Sequence, residues 1–382
     1  MDDKRFMKQA LRLAEKSAGL ASPNPGVGCV IVKNGAVAGR GFHEYALRDH
    51  AEILALCEAG DVARGATAYV TLEPCSHYGK TGPCADRLIQ SGIRRVVTPL
   101  ADPNPKVAGR GIEKLRNAGL IVDVGLMAEE AGKIIEAFAC HVTTGLPLVT
   151  AKAGMSLDGK IGTGMPQGRR ISSPEGLDFG QCLRLKMDAV LVGVETVLAD
   201  DPELTYRGRA RKGRQLTRAV LDSNLRTPPT ARLFKDRKTP VLLFCSENAS
   251  ETRKVALQAL GAEIVSVQEH GGELELEKVL RELGKRNILG LLVEGGSRVH
   301  GSFLASNLVD VFYFIVAPLV LGGASAVPVV GGKGSESIAA APKFRIRKQY
   351  QAGTDMVFEA YPAASRSIVS PWVTNELYKR RN

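Results

Sequence analysis

Hydrophobic residues follow two kinds of spacing in the first forty residues of the chain. Between Asp3 and Ala18 they recur every three or four positions, which predicts an amphipathic helix. The positions that share its apolar face are Phe6, Met7, Ala10, Leu11 and Ala14. The aliphatic run Val27–Val32 predicts a strand instead, and Asn34-Gly35 is a hairpin signal that predicts a partner strand over Ala36–His43.

Helical and extended patterns then alternate to the middle of the chain. Further strands are predicted at Ala68–Leu72, Arg95–Val97 and Ile121–Val124. Helices are predicted from near His50 to near Gly60, at Ala85–Ser91, at Gly111–Ala118, and as one continuous segment from about Ala128 to His141. This alternation is typical of an α/β layered domain, and Thr143–Pro147 is a plausible boundary at its end.

The second half repeats the α/β pattern over roughly two hundred residues. Its predicted strands are Leu148–Ala153, Ala189–Val192, Arg218–Leu221, Val241–Phe244, Glu263–Val265, Gly290–Val293 and Val311–Ala317. Periodicity is lost from Pro362 onward. We therefore predict domains at 1–145 and 146–361 and an appended tail at 362–382, for which disorder is one interpretation.

Composition narrows the class of protein. A chain of 382 residues favours two domains, and seven cysteines spread over that length favour a reducing compartment. Neither a signal peptide nor an apolar run long enough to cross a bilayer is visible, so we expect a cytoplasmic protein without a membrane partner. The net charge of +11 permits nucleic-acid binding or phosphorylated substrates, but an aromatic content of 5% offers few platforms for bases. The basic run Arg207–Arg214 is interpreted as a solvated loop.

One group of residues carries recognisable chemistry. His50 starts a predicted helix, Cys75 follows a strand, and Cys84 opens the next helix. One imidazole and two thiolates suit a catalytic zinc, which takes three protein ligands and keeps a fourth position open. Glu52 lies two residues from His50 and so off its face of the helix, where a carboxylate can accept a proton from the activated water.

An alternative interpretation is a structural zinc site. Such a site closes with a fourth cysteine or histidine, for which His43 and His77 are the available candidates. The other cysteines are interpreted as small core residues. They are Cys29, Cys57, Cys140, Cys182 and Cys245.

The order His-x-Glu, then Pro-Cys, then a second cysteine is the signature of zinc-dependent deaminases. Nucleic-acid editors keep two residues between the cysteines, whereas eight residues separate Cys75 from Cys84 here. That segment contains His77 and Lys80, which suit polar and phosphate contacts. The spacing therefore favours a small phosphorylated substrate.

Further motifs carry a resemblance to a known family. They are Pro23-Asn24-Pro25-x-Val27-Gly28, Glu73-Pro74-Cys75-Ser76-His77, Asp102-Pro103-Asn104-Pro105 and Val107-Ala108-Gly109-Arg110-Gly111. From about Met1 to Tyr361 the chain resembles the bifunctional deaminase–reductases of riboflavin biosynthesis. The resemblance implies a cytidine-deaminase-like three-layer domain followed by a dihydrofolate-reductase-like domain.

The resemblance also implies two reactions. The first domain would deaminate a diaminopyrimidinone carrying a ribosylamino 5-phosphate, with Glu52 as catalytic residue and His50, Cys75 and Cys84 as zinc ligands. The second would reduce the ribosyl group to a ribityl chain with NADPH. Substrate contacts implied in the first domain are Asn24, Ser76, His77 and Lys80. A homo-oligomer, dimer or tetramer, is implied as well.

The second half says less by itself. Leu292–Ser297 reads as a strand, a glycine turn and a helix start, which suits a pyrophosphate but lacks the Rossmann glycine spacing. The NADPH contacts implied by the resemblance are Gly154, Arg170, Thr196, Asp200, Ser223, Gly296, Ser297, Arg298, Val299, His300, Gly301 and Ser302. The implied substrate contacts are Gly168, Arg184, Leu204, Arg207 and Glu294.

One position departs from the family pattern. Arg170 stands where a tryptophan usually packs on the cofactor. An arginine can stack or pair with a phosphate, so both retained and weakened NADPH binding are compatible with it. An active deaminase with a weakened reductase is thus one alternative. A nucleic-acid base deaminase with an accessory domain is another, and a non-catalytic zinc protein is a third.

Overall fold

A computed structural model describes residues 2–47, 49–78, 82–105, 107–164 and 170–368. The chain divides into two compact units. The first comprises Met1–Gly145 together with Arg211–Arg214, and the second comprises Leu146–Ala210 and Gln215–Asn382.

The first unit is a three-layer α/β structure. Its elements in chain order are α1 (Asp3–Lys16), β1 (Gly28–Lys33), β2 (Ala36–Phe42), α2 (Ala51–Ala59), β3 (Thr67–Val70), α3 (Cys84–Gln90), β4 (Arg95–Thr98), α4 (Arg110–Asn117), β5 (Ile121–Val124), α5 (Ala128–Ile134) and α6 (Glu136–Thr144). The sheet order is β2-β1-β3-β4-β5. Strand β1 is antiparallel to β2 and β3, whereas β3, β4 and β5 are parallel.

Each face of this sheet has its own core. Helices α2, α3 and α4 pack on one face, and α1 and α5 pack on the other. Alternate residues of β1 point into the two cores, since Ile31 belongs to the first core and Val30 to the second. Glycine lets α2 lie directly on β2, because a Cβ at Gly41 would collide with the carbonyl oxygen of Ala51. That close packing fixes the start of α2, where His50 lies.

The continuous helix predicted from Ala128 to His141 is wrong. Its residues form two helices, and Ile135 between them leaves the helical region with φ −101° and ψ 11°. Ile135 is buried, so the break keeps an apolar side chain in the core. The hydrophobic spacing is compatible with either arrangement and therefore did not show the break.

The second unit is built on one large mixed sheet. Its elements are β6 (Leu148–Ser156), β7 (Lys160–Gly162), α7 (Pro174–Lys186), β8 (Ala189–Gly193), α8 (Val194–Asp200), β9 (Thr217–Leu221), β10 (Val241–Ser246), α9 (Glu251–Gln258), β11 (Ala262–Val267), β12 (Glu269–His270), β13 (Glu273–Leu274), α10 (Leu276–Lys285), β14 (Gly290–Gly295), α11 (Ser297–Ala305), β15 (Val311–Ala317), β16 (Val327–Pro328), β17 (Phe344–Ala352) and β18 (Asp355–Pro362). The order of the nine-stranded sheet is β11-β10-β9-β8-β14-β6-β15-β18-β17.

The seven strands from β11 to β15 are parallel, and the hairpin of β17 and β18 adds two antiparallel strands at one edge. Separate hydrophobic cores cover the two faces. The sequence pattern did not predict this hairpin. Strand β17 is the sheet edge and is largely exposed, so its residues lack the alternation that marks a half-buried strand.

Residues 363–368 also differ from the prediction of an appended tail. Ser365 and Ser367 are buried, and Arg366 forms an ion pair of 2.6 Å with the buried Asp310. This segment therefore belongs to the packed part of the second unit. Residues 369–382 lie outside the described part of the chain.

Candidate active sites

The side chains of His50, Cys75 and Cys84 meet in the first unit. Their ligand atoms all lie within 4.8 Å of one another. Nδ1 of His50 is 3.2 Å from Sγ of Cys84 and 3.6 Å from Sγ of Cys75. His50 is the N-cap of α2, Cys84 is the first residue of α3, and Cys75 follows β3.

The two cysteines form a polarised pair. The Cys84 thiol donates to Cys75 and lowers the pKa of the Cys75 thiol well below its ordinary range, and hydrogen bonds from His50 and the Cys84 backbone act in the same direction against the effect of burial. The Cys84 backbone N–H lies 3.3 Å from the Cys75 sulfur. A ready thiolate beside a second thiol and an imidazole is a donor set that fits zinc.

The histidines that a structural zinc site would recruit are not available as a fourth ligand. His43 uses both ring nitrogens, Nδ1 with the carbonyl oxygen of Asp49 at 3.1 Å and Nε2 with the Asn24 side chain at 3.0 Å. His77 is exposed, and the metal-ligating group found among the described residues contains three members without it. A three-ligand group leaves a position for water, as a catalytic site requires.

Glu52 lines the same cavity as His50 and Cys75. Its side chain is 3% exposed, on the first turn of α2. Burial raises the pKa of Glu52 to about 7 against the opposing effect of His50. A buried carboxyl with this pKa can both accept and return a proton near neutral pH.

A cavity of about 380 Å³ opens over this group. The residues that line it are Pro23, Asn24, Pro25, Val27, His43, Tyr45, His50, Glu52, Leu72, Glu73, Cys75, His77, Asp102, Asn104, Val107 and Phe138. Its volume suits one small ring with substituents, and its lining mixes apolar surface with a few polar groups. Of the predicted substrate contacts, Asn24 and His77 line the cavity, Ser76 is half-buried beside them, and Lys80 lies outside the described residues.

Three polar lining residues, Glu73, Asp102 and Asn104, lie within the sequence motifs but were not predicted as contacts. Asp102 accepts the backbone N–H of Asn104 at 2.8 Å, and burial raises the pKa of its carboxyl to about 6. Glu73 is buried and accepts backbone N–H groups from the segment that carries Asp102. Its four donors are Asp102 at 2.8 Å, Gly109 at 2.9 Å, Gly111 at 2.7 Å and Ile112 at 3.2 Å. The sequence did offer a signal for these carboxylates, because each follows a buried strand: Glu73 comes after β3 and Asp102 after β4.

In the second unit the predicted contacts gather at one edge of the sheet. Gly154 lies near the end of β6, Thr196 is in the first turn of α8 after β8, Ser223 follows β9, and Gly296 follows β14. These four strands are neighbours in the order β9-β8-β14-β6 and are parallel. Their carboxyl ends therefore meet, and ligands of open α/β sheets bind at this edge.

Arg184 and Glu294 form a buried ion pair at this edge. Nε and Nη2 of Arg184 donate to the two carboxylate oxygens of Glu294, each at 2.7 Å, and Nη1 donates to the carbonyl oxygen of Thr205 at 2.6 Å. Lys152 lies 3.6 Å from the same carboxylate. Burial would raise the pKa of Glu294, but Lys152 and Arg184 outweigh it and lower that pKa to about 2. Two cations against one anion leave a net positive charge.

The turn between β14 and α11 requires its two glycines. Gly295 and Gly296 have φ of +51° and +87°, and a Cβ at Gly295 would lie 2.5 Å from Nε2 of His300. Thr196 donates to the carbonyl oxygen of Gly295 at 3.2 Å and so ties α8 to this turn. The turn leads into the N-terminus of α11, whose free N–H groups suit a phosphate.

The remaining predicted contacts have varied surroundings. Arg170, Asp200, Arg207 and Arg298 are exposed; Ser297, Val299 and Ser302 are half-buried; Leu204, His300 and Gly301 are buried. Gly168 lies outside the described residues. His300 is 1% exposed and lies beneath the glycine turn, so its side chain supports the turn from inside.

The cysteines outside the zinc group divide into two sets. Cys29, Cys140 and Cys245 are buried, which confirms their interpretation as core residues. The same interpretation was wrong for Cys57 and Cys182, which are exposed on α2 and α7. Each is helical, but neither belongs to the buried stripe of its helix.

Comparisons with known proteins agree with both units. Residues 1–100 match the model for the cytidine and deoxycytidylate deaminase zinc-binding region, and residues 147–358 match the model for the RibD C-terminal domain. The riboflavin biosynthesis protein RibD of Aquifex aeolicus is 40% identical over 355 residues, which cover 93% of this chain and 97% of that protein. The Escherichia coli RibD is 38% identical over 371 residues, 93% and 98% of the two chains.

The chain belongs to the RibD family. Solved structures agree: form 1 of Acinetobacter baumannii RibD has a TM-score of 0.85 at 35% identity and covers 94% of this chain and 98% of its own. A Thermotoga maritima diaminohydroxyphosphoribosylaminopyrimidine deaminase/5-amino-6-(5-phosphoribosylamino)uracil reductase has a TM-score of 0.82 at 36% identity, with the same coverage.

RibD membership confirms three expectations from the sequence. The fold is a cytidine-deaminase-like domain followed by a reductase domain of the RibD type. The protein is an enzyme that combines a deaminase with a reductase, and its cofactors are zinc and NADPH. Among the described residues, no helix has the length and apolar character needed to cross a membrane.

Proposed function

We propose that this enzyme catalyses two consecutive steps of riboflavin biosynthesis. The first unit hydrolyses the amino group of 2,5-diamino-6-ribosylamino-4(3H)-pyrimidinone 5′-phosphate. The second reduces the ribosyl group of the product to give 5-amino-6-(5-phosphoribitylamino)uracil. The observation that carries the proposal is the group of His50, Cys75 and Cys84 at a cavity that buried Glu52 also lines, in a chain that matches RibD proteins over nearly its full length.

In the deaminase step, His50, Cys75 and Cys84 would hold the zinc. Zinc supplies Lewis acidity that makes a water nucleophilic near neutral pH. Glu52 accepts a proton from the attacking water and returns it to the departing nitrogen, so that ammonia leaves and a carbonyl replaces the amine. Asn24 and His77, which line the cavity, orient the ring. We assign Ser76 and Lys80 to the substrate as well.

In the reductase step, the residues at the carboxyl edge of the large sheet hold cofactor and substrate. NADPH supplies the hydride. We assign the turn Gly295–Gly296 and the start of α11 to its phosphates, together with Gly154, Thr196, Asp200 and Ser223. The positive group of Lys152 and Arg184 around Glu294 attracts the anionic substrate.

The remaining assignments rest on position along the chain. Arg170 and Ser297–Ser302 are assigned to NADPH, and Gly168, Leu204 and Arg207 to the substrate. We also propose that the enzyme forms a homo-oligomer and that small phosphorylated pyrimidines are its only substrate class. The guanidinium of Arg207 is exposed and lies 3.6 Å from the carboxylate of Glu203, a surface ion pair that a substrate phosphate would replace.

A coupled assay tests both steps on the full-length zinc protein. Incubation with the diaminopyrimidinone phosphate should release ammonia, measured by a colorimetric method that does not use a nicotinamide cofactor. Adding NADPH afterwards should produce a loss of NADPH absorbance as the ribityl product forms. No ammonia would overturn the first step. Ammonia without NADPH oxidation, after the product has been supplied in excess, would overturn the second.

A further inference from the structure

His43 is a buried histidine beside the zinc group with both ring nitrogens bonded. It follows β2 directly and is 4% exposed. Its ring meets the ring of His50 edge-on, with centroids 5.2 Å apart. Because neither nitrogen is free for metal, a role for this residue has to come from its hydrogen bonds.

The two partners of His43 fix its tautomer. The carbonyl oxygen of Asp49 can only accept, so Nδ1, which lies 3.1 Å away, carries the hydrogen. The other partner is Nδ2 of Asn24, an amide nitrogen that can only donate, at 3.0 Å from Nε2. Nε2 therefore accepts, and the ring is the neutral Nδ1–H form.

This tautomer in turn fixes the side-chain amide of Asn24. His43 holds Nδ2, so the other end of the planar Asn24 amide is the carbonyl oxygen Oδ1. Asn24 is one of the residues that line the cavity. In the described part of the chain, no hydrogen bond to that oxygen is found, and Asn24 is half-buried. An acceptor in this fixed orientation pairs with an N–H donor of the substrate. A substrate acceptor at the same point would lack a hydrogen-bond partner.

We propose that His43 is a positioning residue that makes Asn24 a hydrogen-bond acceptor and so selects pyrimidines with an N–H donor, on the ring or exocyclic, at that point of the cavity. The inference rests on the proposed deaminase function. It adds a relay of three groups, from the Asp49 carbonyl through His43 to Asn24, that defines the polarity of one part of the binding surface. A space-filling role beside His50 is the competing explanation.

Kinetics of ammonia release separate these roles. His43→Phe keeps an aromatic ring but removes the acceptor, so the Asn24 amide can rotate. We expect KM for the diaminopyrimidinone phosphate to rise about tenfold, with kcat within about threefold of the unsubstituted enzyme and zinc still bound at one per chain. His270→Phe, at an exposed histidine outside the cavity, is the matched control and should change neither constant. An unchanged KM in zinc-loaded His43→Phe would overturn the inference.

A double variant tests whether His43 acts through Asn24. Asn24→Ala should raise KM to a similar extent, and the double variant His43→Phe/Asn24→Ala should be no worse than Asn24→Ala alone, because the shared contact is already lost. Multiplied effects would overturn the inference.

A spectroscopic measurement reads the tautomer of His43 in the unsubstituted protein. Nitrogen-15 spectra of the histidine rings in the unsubstituted zinc protein should show His43 as the Nδ1–H tautomer, assigned by the signal that is missing from a His43 variant. An Nε2–H tautomer would contradict the relay. If the unsubstituted enzyme releases no ammonia, the proposed function fails. If it does, and only the tautomer or the KM result disagrees, this inference alone fails.

Discussion

Arg184 and Glu294 are joined by two parallel hydrogen bonds of 2.7 Å at the carboxyl edge of the large sheet. Their side chains are 10% and 12% exposed, so the pair is largely withdrawn from water. Such a pair contributes little net stability compared with apolar residues, but removing one partner leaves the other charge buried. Removal of the Glu294 charge would leave two cations without an anion, because Lys152 lies beside the same carboxylate as Arg184.

Glu294→Gln should therefore destabilise the second unit at pH 7 by about 3 kcal/mol. Burial opposes ionisation, but Lys152 and Arg184 lower the folded-state pKa of Glu294 to about 2, below the unfolded value of about 4.3. Its stabilising contribution is thus fully present above pH ~4.3 and is lost as pH falls toward 2. Hydrogen exchange of β6 and β14 amides measures the local unfolding free energy.

The control for this prediction is Glu195→Gln, which removes an exposed partner of Arg226. It should leave exchange of β6 and β14 unchanged. The difference between Glu294→Gln and the unsubstituted protein should narrow as the pH is lowered from 5 to 3. A difference that stays constant over that range would show that ionised Glu294 is not its source.

Glu52→Gln should lose ammonia release while it retains zinc. The amide has the size of the carboxyl group but cannot accept a proton from the attacking water, and removing a general acid–base costs about a hundredfold or more in rate. Zinc analysis and the ammonia assay give the two readings. NADPH oxidation with supplied deaminated product should be unchanged, because Glu52 belongs to the first unit. Turnover within about tenfold of normal would remove Glu52 from its assigned role.

Much of the fold followed from local patterns. The parallel strands of both sheets were visible because each is a short aliphatic run, and the helix of Phe6 and Met7 because its apolar face is regular. The edge hairpin was not visible, since its outer strand β17 is largely exposed and needs no alternation. Neither was the break at Ile135, which is decided by packing.

The candidate site divides in the same way. His50, Cys75, Cys84 and Glu52 could be identified because metal and proton chemistry restrict the residue types. Residues that act through contacts with the backbone could not be identified from the sequence. Glu73 became meaningful only when its four N–H donors were seen, which come from residues 29 to 39 positions away along the chain.

Glu73→Gln should displace the segment that carries Asp102. One carboxylate oxygen of Glu73 accepts from Asp102 and Gly109, and an amide has only one oxygen for the two pairs of donors. Two buried N–H groups would lose their acceptor, which costs about 2 to 4 kcal/mol in unfolding free energy. We expect a lower midpoint in urea and a KM for ammonia release raised about tenfold.

The matched control for Glu73 is Glu113→Gln on the exposed side of α4. It should change neither the urea midpoint nor KM. A population of unfolded enzyme lowers the apparent kcat but leaves KM alone, so the two constants separate displacement of the cavity wall from simple destabilisation. Glu73→Gln with normal KM and reduced kcat would mean that Glu73 supports the fold without shaping the cavity.

Gly301→Ala should weaken NADPH binding. A Cβ at Gly301 would collide with the carbonyl oxygen of Gly331, whose N–H donates to Ser297 at 2.9 Å. Relieving the collision moves either this segment or the start of α11, where the cofactor phosphates are assigned. Overpacking of this kind costs about 1 to 3 kcal/mol, so the dissociation constant for NADPH should rise about tenfold or more. Titration of nicotinamide fluorescence measures it.

Gly162→Ala is the control, because no atom lies within 4 Å of its Cβ position. Unchanged affinity in a folded Gly301→Ala protein would place the phosphates away from α11.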